Sequence, residues 1–401
     1  MKKKKDILFA CQFFYPEYVS SATLPYDTAC ALRDSGYSVD ALCGYPKEYS
    51  QGKDIPLCEE VDGITIRRLK YLQLKRSGFL GRLINYFSFS FMVFLNLWRF
   101  ADYRAVIVYS NPPILPWIAS WAKLFFGTKL YFVAYDLYPE LAVKTHSLRE
   151  GSIICRLMDH INRCVYKRAD GVVALSNEMR EFILKNRPIA PEIVHVIPNW
   201  YEDQKQETAG ENAFEEMTAG RFVVSYFGNM GICQDMQTIL DAIRLLKDDD
   251  KVFFLFAGHG NKMDALKQAV REEEIPNVRI FDFLHGQQFR DALAISDCAL
   301  VSLAEGTTGL CAPSKTYSYM MQGLPLVAIM DESDIVRDVE RGAGCWVRNG
   351  EAQRLADTIR SLSIDPNRQK AMSQKCRELY LEKYTREVCT GKYVSLFQNN
   401  L

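Results

Sequence analysis

The chain has 401 residues, 48% hydrophobic and 24% charged, a composition typical of a globular protein with two or three domains. Its 49 Lys and Arg balance its 49 Asp and Glu, which gives no electrostatic support to a general nucleic-acid role. The 12 cysteines form no CxxC pair and no Cys/His cluster at zinc spacing. They favour reduced thiols in a cytosolic core over a disulfide framework.

The first half of the chain alternates strands and helices. A basic start and a short apolar run, Ile7 to Cys11, resemble the beginning of a signal peptide, but the run is too short and predicts a first buried strand over 6–14. A helix over 24–35 and a strand over 37–43 complete a βαβ opening of a doubly wound sheet. The same patterns predict further strands over 64–69, 105–109, 129–133, 171–175 and 194–197, and helices over 114–126, 151–169 and 177–185, with Ser176 as an N-cap.

One segment, 78–100, is apolar and about long enough to span a bilayer. Arg82, Asn85 and Arg99 lie within it and make a true span unfavourable. Two interpretations stay open: a helix buried against the sheet, or an amphipathic helix in the membrane interface. Its aromatic residues and the basic residues before it favour contact with an inner-membrane surface through the region from Arg67 to Arg104.

The second half repeats the plan after a polar, acidic stretch, 201–219, that reads as a linker. Strands are predicted over 221–227, 252–257, 278–281, 298–302 and 324–330. Helices are predicted over 235–246, 313–323, 335–342 and 352–361. Two more are predicted, one that follows Gly260 and ends at about 273, and one that follows Gly286 and ends at 295. A helical tail over 368–397 is expected to break near Tyr384. Two Rossmann-like halves of this kind would leave a cleft between the carboxyl edges of two sheets.

The stretch 302–328 carries the strongest local signal. A buried strand is followed by a glycine-bearing loop, a helix beginning near Pro313 and Ser314, and a second strand. Lys315, in the first helical turn, is poorly placed for the helix dipole, so a bound phosphate would explain it. The alternative is an ordinary βαβ unit with a solvent-facing lysine.

Four motifs carry a resemblance over nearly the whole chain. They are FYPE at 14–17 with GYP at 44–46, DLYPE at 136–140, YFGNMG at 226–231, and PSKTYSYM at 313–320 with GLP at 323–325. In this order they resemble retaining glycosyltransferases of family 4, in a bacterial subset similar to N-acetyl-fucosaminyltransferases of O-antigen and capsule assembly. The resemblance implies an α/β GT-B fold. Its two Rossmann-like domains would be 1–200 and 220–384, facing across a cleft, with helix 385–401 crossing back to the first.

The same resemblance implies an activity. An N-acetylated amino sugar would pass from a UDP-sugar to a polyprenyl-pyrophosphate-linked saccharide, with retention of configuration and without a metal or other cofactor. A cytoplasmic protein peripheral to the cell membrane, with no nucleic-acid partner, is expected. The sequence Asp248 to Asp250 contains a D-x-D spacing, but it follows a helix and reads as a solvated turn.

Site residues follow from the chemistry of a pyrophosphate leaving group, which needs cations or amide dipoles, and from the motif matches. The predicted catalytic residues are Asp136 and Glu305. The predicted donor-binding residues are Gly228, Asn229, Gly231, Gly258, Lys262, Leu284, Ser314, Lys315 and Ser318. The predicted acceptor-binding residues are Glu17, Tyr18, Ser20, Ser21, Tyr135 and Glu140. Asp136 would orient the acceptor hydroxyl or stabilise positive charge at the sugar carbon, although capping a turn is its alternative role.

The sequence departs from the family pattern at several positions. Ser318 and Leu310 stand where the resemblance places two glutamates, with Glu305 as a candidate replacement, and Ile232 stands where an arginine is expected. With no carboxylate clearly placed as a nucleophile, same-face attack is the preferred hypothesis. Two other functions stay open: a nucleotide-sugar epimerase, which shares this architecture, and a non-catalytic subunit of a polysaccharide assembly complex, which the missing glutamates keep open.

Overall fold

The computed structural model describes residues 4–46, 55–74, 79–204 and 212–401. Parts of the predicted linker (205–211) and of the basic stretch before the apolar segment (75–78) lie outside these residues. The chain divides into two compact units. The first comprises Met1–Pro198, Gly309–Ala312 and Glu387–Leu401, and the second comprises Asn199–Thr308 and Pro313–Arg386. Each contains one largely parallel sheet, so the predicted α/β fold of two Rossmann-like halves is confirmed.

The sheet of the first unit has eight strands in the order β3-β4-β2-β1-β5-β6-β7-β8. Their bounds are β1 (Lys5–Cys11), β2 (Val39–Gly44), β3 (Cys58–Val61), β4 (Ile64–Leu69), β5 (Tyr103–Tyr109), β6 (Lys129–Ala134), β7 (Gly171–Ala174) and β8 (Val194–Val196). Only β3 pairs antiparallel, with β4. The sequence of β3, CEEV, lacks the apolar run of a buried strand, so this half-exposed edge strand was not predicted.

The helices of the first unit lie between these strands and at the end of the chain. They are α1 (Ser20–Asp34), α2 (Phe79–Leu95), α3 (Leu115–Phe126), α4 (Glu140–Lys144), α5 (Ile153–Arg168), α6 (Asn177–Asn186) and α15 (Arg386–Gln398), with 3-10 turns at Leu97–Asp102 and Pro191–Ile193. The Ser176 hydroxyl accepts a hydrogen bond from the backbone N–H of Met179, which confirms the predicted cap of α6. No helix formed by the described residues has both the length and the apolarity required to cross a membrane.

The sheet of the second unit has six parallel strands in the order β11-β10-β9-β12-β13-β14. They are β9 (Phe222–Asn229), β10 (Val252–His259), β11 (Val278–Phe281), β12 (Cys298–Ser302), β13 (Leu326–Ile329) and β14 (Gly344–Val347). Central strands such as β10 and β12 are apolar runs buried on both faces, as is usual in parallel sheets. The half-buried edge strand β14, GCWV, was not predicted, because it lacks such a run.

The remaining helices belong to the second unit, which also includes Arg386, the first residue of α15. They are α7 (Glu215–Thr218), α8 (Met236–Leu245), α9 (Met263–Glu272), α10 (Gln287–Ala294), α11 (Lys315–Gln322), α12 (Asp334–Asp338), α13 (Ala352–Ser363) and α14 (Pro366–Lys383), with a π-helical turn at Val339–Ala343. The predicted break near Tyr384 is confirmed between α14 and α15. Because parallel strands end on the same side of their sheet, the loops after β9, β10 and β12 share one carboxyl edge.

Candidate functional site

Lys315 is the first residue of α11, at the carboxyl edge of the second sheet. Its Nζ lies 3.4 Å from the centroid of the Tyr226 ring and donates a hydrogen bond to the carbonyl oxygen of Asn229 over 3.3 Å. No carboxylate among the described residues pairs with it. Burial lowers the pKa of the Lys315 amine well below its ordinary value. A bound anion would favour the charged amine, which makes this position a candidate phosphate contact.

The start of α11 adds further positive potential. Ser314 is exposed at the N-cap, but its side chain caps no backbone N–H. The first N–H groups of a helix have no acceptor within the helix, and the dipole leaves partial positive charge there. Six of the eight residues of α11 are buried, so packing holds this end of the helix in place.

The last residues of β9 and β10 lie close together, and the strand register pairs Gly228 with Gly258. Gly258 has φ +148°, and a Cβ placed on it would lie 1.9 Å from the carbonyl oxygen of Gly228. Gly228 itself has φ +122°, and a Cβ there would point to Cε of Lys315, 3.6 Å away. Glycine at both positions therefore permits the backbone at Gly228 to lie between Gly258 and the Lys315 side chain.

Lys262 and Gly231 are connected through Gln234. The Lys262 Nζ donates to the carbonyl oxygen of Gln234 over 2.6 Å, and the Gly231 N–H donates to Gln234 Oε1 over 2.9 Å. Gln234 was not predicted as a site residue, although its position just after the glycine loop could have indicated it. Asn229 is exposed beside this loop. The predicted donor-binding residues Gly228, Asn229, Gly231, Gly258, Lys262 and Lys315 thus lie along one edge.

An aromatic cluster stands at the ends of β10 and β11. The Phe283 ring centroid is 5.8 Å from that of His259 and 4.7 Å from that of His285. Phe283 is largely exposed, and Leu284 is half-buried within the cluster. Exposed rings of this kind offer a stacking surface for a planar or apolar ligand group.

Glu305 is exposed on the loop after β12. The next residue, Gly306, donates its N–H to Oδ2 of Asp331 over 2.8 Å, so Asp331 holds this loop. Asp331 was not predicted as a site residue, although its position after a buried strand at the same edge could have indicated it. Ser318 is buried in α11, where its hydroxyl donates to the carbonyl oxygen of Lys315 over 2.8 Å. Ser318 could therefore donate to a ribose hydroxyl only if this hydrogen bond broke, whereas its oxygen can still accept one.

Asp136 lies just beyond β6 in the first unit. The Ser110 hydroxyl accepts hydrogen bonds from the N–H groups of Tyr135 (3.0 Å) and Asp136 (3.1 Å). Within the same unit, Leu137 donates to the carbonyl oxygen of Leu310 over 2.8 Å. Backbone contacts therefore fix the position of Asp136. Burial raises the pKa of its carboxyl to about 6, and no described residue pairs with it.

Glu140 is engaged in an ion pair. Both of its carboxylate oxygens accept from Nη2 of the buried Arg187, at 2.7 and 2.6 Å. Arg187 also donates to the carbonyl oxygen of Tyr138 over 3.2 Å and lies near Asp159. Arg187 had no motif in the sequence to mark it. This network supports the turn after Asp136, and an acceptor contact from Glu140 would compete with it.

The other predicted acceptor-binding residues follow β1. Glu17 is buried, and its carboxylate accepts from the N–H of Phe14 over 3.4 Å. Its charge contributes to the raised pKa of the buried Cys11 thiol, a smaller effect than burial and the neighbouring Cys43. Where α1 begins, Tyr18 and Ser20 are exposed and Ser21 is half-buried. Tyr135, which precedes Asp136, is half-buried, and burial raises the pKa of its phenol well above its ordinary value.

Metal coordination has no candidate cluster within the described part of the chain, where no three His, Cys, Asp or Glu side chains converge. The turn at Asp248 to Asp250 instead contains an ion pair between Asp249 and Arg360, 3.5 Å apart.

Comparison with known proteins matches both halves of the chain. Residues 22–200 match the glycosyl transferase 4-like domain, and residues 221–365 match the glycosyl transferases group 1 domain. The chain is 31% identical over 265 residues to the probable glycosyltransferase WbjE of Pseudomonas aeruginosa, an alignment that covers 64% of this chain and 66% of that protein. It is 22% identical over 274 residues to the putative colanic acid biosynthesis glycosyl transferase WcaI of Escherichia coli K12, covering 66% and 67%.

The fold is also similar to solved structures. Anabaena HepE in complex with UDP-glucose aligns with a TM-score of 0.72 at 16% identity, over 99% of this chain and 100% of that chain. At this level of identity the structural similarity establishes the fold alone. The family is established by the two domain matches.

Proposed function

Since the chain belongs to the glycosyltransferases that pair a 4-like domain with a group 1 domain in a GT-B fold, we propose that it transfers a sugar from a UDP-sugar. The acceptor is a polyprenyl-pyrophosphate-linked saccharide, and the product is part of a bacterial surface polysaccharide such as an O-antigen or capsule. The sugar is an N-acetylated amino sugar, transferred with retention of configuration on the cytoplasmic side of the membrane.

The observation that carries this proposal is Lys315. It has no acidic partner among the described residues, its charged form is penalised by burial, and it stands at an uncapped helix N-terminus beside a glycine loop. These are the groups that neutralise a departing pyrophosphate without a metal ion. HepE, which has this fold, was solved in complex with UDP-glucose, and that ligand supports a uridine nucleotide as the donor.

Asp136 is the proposed acceptor-side group. A carboxylate whose pKa is about 6 is mostly ionised at neutral pH and is poised to accept a hydrogen bond from an acceptor hydroxyl. In the same-face route, a donor phosphate oxygen takes the hydroxyl proton as the acceptor oxygen bonds to the sugar carbon and the bond from that carbon to UDP breaks. Glu305 is the proposed replacement for the missing family glutamate.

The test is UDP release by purified protein with each of a panel of UDP-sugars, with and without a polyprenyl-linked acceptor. We expect release that depends on the acceptor, and a loss of about 100-fold or more in Lys315→Met, because removing one preorganised transition-state contact has that effect. Lys315→Met removes a half-buried amine whose charged form is disfavoured where it lies, so we expect no loss of folding. The control, Lys370→Met, removes an exposed lysine of the same unit.

Full activity in Lys315→Met would contradict the proposed role of this lysine. Interconversion of UDP-sugars without transfer would instead identify an epimerase. Failure to bind any UDP-sugar, measured as the absence of a thermal shift, would identify a non-catalytic subunit.

A further inference from the structure

The outer face of α2 and of the 3-10 turn that follows it is aromatic and exposed. Phe87, Phe91 and Phe94 recur at intervals of four and three residues, which places them on one side of α2, and Trp98 follows in the 3-10 turn. Phe87 is 54% exposed, Phe91 57% and Trp98 59%. The same helix therefore exposes on one side the large apolar rings that soluble proteins usually bury.

The inner face of α2 packs into the first unit. Phe89 and Val93 are fully buried there, and the Phe89 ring lies 5.3 Å from that of Tyr71. The core interpretation of this segment is correct for the inner face alone. It leaves the outer rings unexplained.

Helix α3 extends the exposed surface. The Phe94 ring meets Trp121 edge-on at 5.8 Å, and Trp121 meets Phe125 at 6.3 Å. Phe125 is 65% exposed, and Leu124 beside it is also exposed. The aromatic face, as we define it, consists of Phe87, Phe91, Phe94, Trp98, Leu124 and Phe125. Contiguous exposed apolar surface of this kind marks an interaction site.

Helix α5 packs against α3 and adds apolar surface of its own. Ile153, Ile154 and Leu157 are exposed in its first two turns. Of the 21 exposed large hydrophobic residues described in the chain, 11 lie on α2, the 3-10 turn, α3 and α5. This concentration distinguishes these packed helices from the scattered apolar residues found on any protein surface.

The charges on the same elements are unbalanced. By sequence, α2, the 3-10 turn, α3 and α5 carry seven Arg or Lys and two Asp, in a chain whose formal net charge is +0. The Arg99 guanidinium lies over the Trp98 ring at 4.5 Å, a cation–π contact that keeps a positive charge beside the exposed ring. Arg156 and Lys167 are exposed, and no carboxylate of the described residues pairs with either.

We propose that the aromatic face docks the protein on the surface of an anionic lipid bilayer. Aromatic rings beside basic residues match the boundary between acyl chains and acidic headgroups. The outer face of α2 would lie in the interface, while Phe89 and Val93 on its inner face remain in the protein core. This proposal does not depend on the transfer reaction, although docking would bring the protein to a lipid-linked acceptor.

The test is co-sedimentation of the full chain with vesicles of phosphatidylglycerol and phosphatidylethanolamine, compared with phosphatidylcholine alone. We expect binding to the anionic vesicles that 0.5 M salt weakens, since headgroup attraction is screened. The variant F87S/F91S/F125S should bind at least about 10-fold more weakly, because three inserted rings are lost. The matched control L245S/I364S/L381S replaces three exposed residues of the second unit and should bind as the parent does.

A second variant separates charge from apolar insertion. R156Q/K167Q should weaken binding severalfold on anionic vesicles and leave circular dichroism and thermal unfolding unchanged. Equal binding of F87S/F91S/F125S and the parent would overturn the proposal, as would failure of the parent to co-sediment with anionic vesicles. So would a parent that forms a dimer through these rings, detected by sedimentation and abolished in F87S/F91S/F125S, without vesicle binding.

Discussion

Asp136 is held in an environment that disfavours its charge. Burial raises the pKa of its carboxyl from 3.8 to about 6, and no described residue compensates. A carboxyl whose pKa is higher in the folded than in the unfolded protein costs stability once it ionises. The cost is absent below about pH 4, grows between pH 4 and 6, and reaches roughly 2–3 kcal/mol above pH 6. Residues kept at such a cost are often functional.

Asp136→Asn should therefore stabilise the protein and inactivate it together. We expect the free energy of unfolding at pH 7.5 to rise by about 1–3 kcal/mol, with the gain disappearing near pH 4. UDP release in the presence of acceptor should fall by about 100-fold or more. Urea unfolding at the two pH values and a UDP-release assay measure the two effects.

The parent enzyme should also lose activity as pH falls through about 6, because the carboxylate becomes protonated. Asp250→Asn, at an exposed aspartate in a turn of the second unit, is the control and should leave both quantities unchanged. An Asp136→Asn variant that keeps full activity would assign Asp136 a role in the fold alone.

At the scale of elements, the pairing of β9 with β10 continues past the point where side chains could be tolerated. The register pairs Gly228 with Gly258, and their backbones meet where any Cβ on Gly258 would overlap a carbonyl oxygen. The parallel strands thus extend into the loops that flank Lys315. The geometry of the candidate phosphate site depends on this pair of strand ends.

Gly258→Ala should disrupt that pairing. We expect the free energy of unfolding to fall by more than about 3 kcal/mol, because the cost of a positive φ and the cost of the backbone overlap add. Gly220→Ala is the matched control, since Gly220 also has a positive φ, +71°, but a Cβ there meets nothing within 4 Å.

Chemical denaturation of the two glycine variants gives the comparison. The Gly220→Ala cost should stay near 1–2 kcal/mol. If the two variants lose the same stability, backbone conformation rather than the close approach accounts for the glycine at 258.

At the scale of the whole molecule, the last helix completes the first unit. Phe397 of α15 is fully buried, with its ring 4.4 Å from Tyr131 of β6 and 6.5 Å from Tyr37. The Tyr131 phenol is buried, and burial raises its pKa above its ordinary value. Residues at the far end of the chain therefore form part of the core that supports β6, the strand preceding Asp136.

Phe397→Ala should destabilise the first unit by about 3–5 kcal/mol, the usual cost of removing a buried ring. Hydrogen exchange followed by mass spectrometry should show faster exchange in β6 and the neighbouring strands. Phe256→Ala, at an equally buried ring of β10, is the matched control and should accelerate exchange in the second unit instead. Unchanged exchange over 129–134 in Phe397→Ala would show that α15 contributes little to this core.

Most strands were predictable because a buried parallel strand is a short apolar run. Ile64–Leu69, Val278–Phe281 and Cys298–Ser302 have the predicted bounds. The predicted first strand was too long, since it ends at Cys11 and not at 14, and α1 begins at Ser20 and not at 24. Edge strands β3 and β14 were missed because half-buried strands need no apolar run.

The sequence by itself determined the alternation of strands and helices, the Ser176 cap, the break near Tyr384 and the position of Lys315 at a helix start. These depend on neighbours a few residues apart, through periodicity, capping and backbone conformation. The partners of the candidate site residues were decided by the tertiary structure alone. Arg187 reaches Glu140 over 47 residues, Lys315 lies on the ring of Tyr226, and Asp331 holds Gly306. Such pairings arise when the sheet brings distant strand ends to one edge, and no local pattern encodes which side chains then meet.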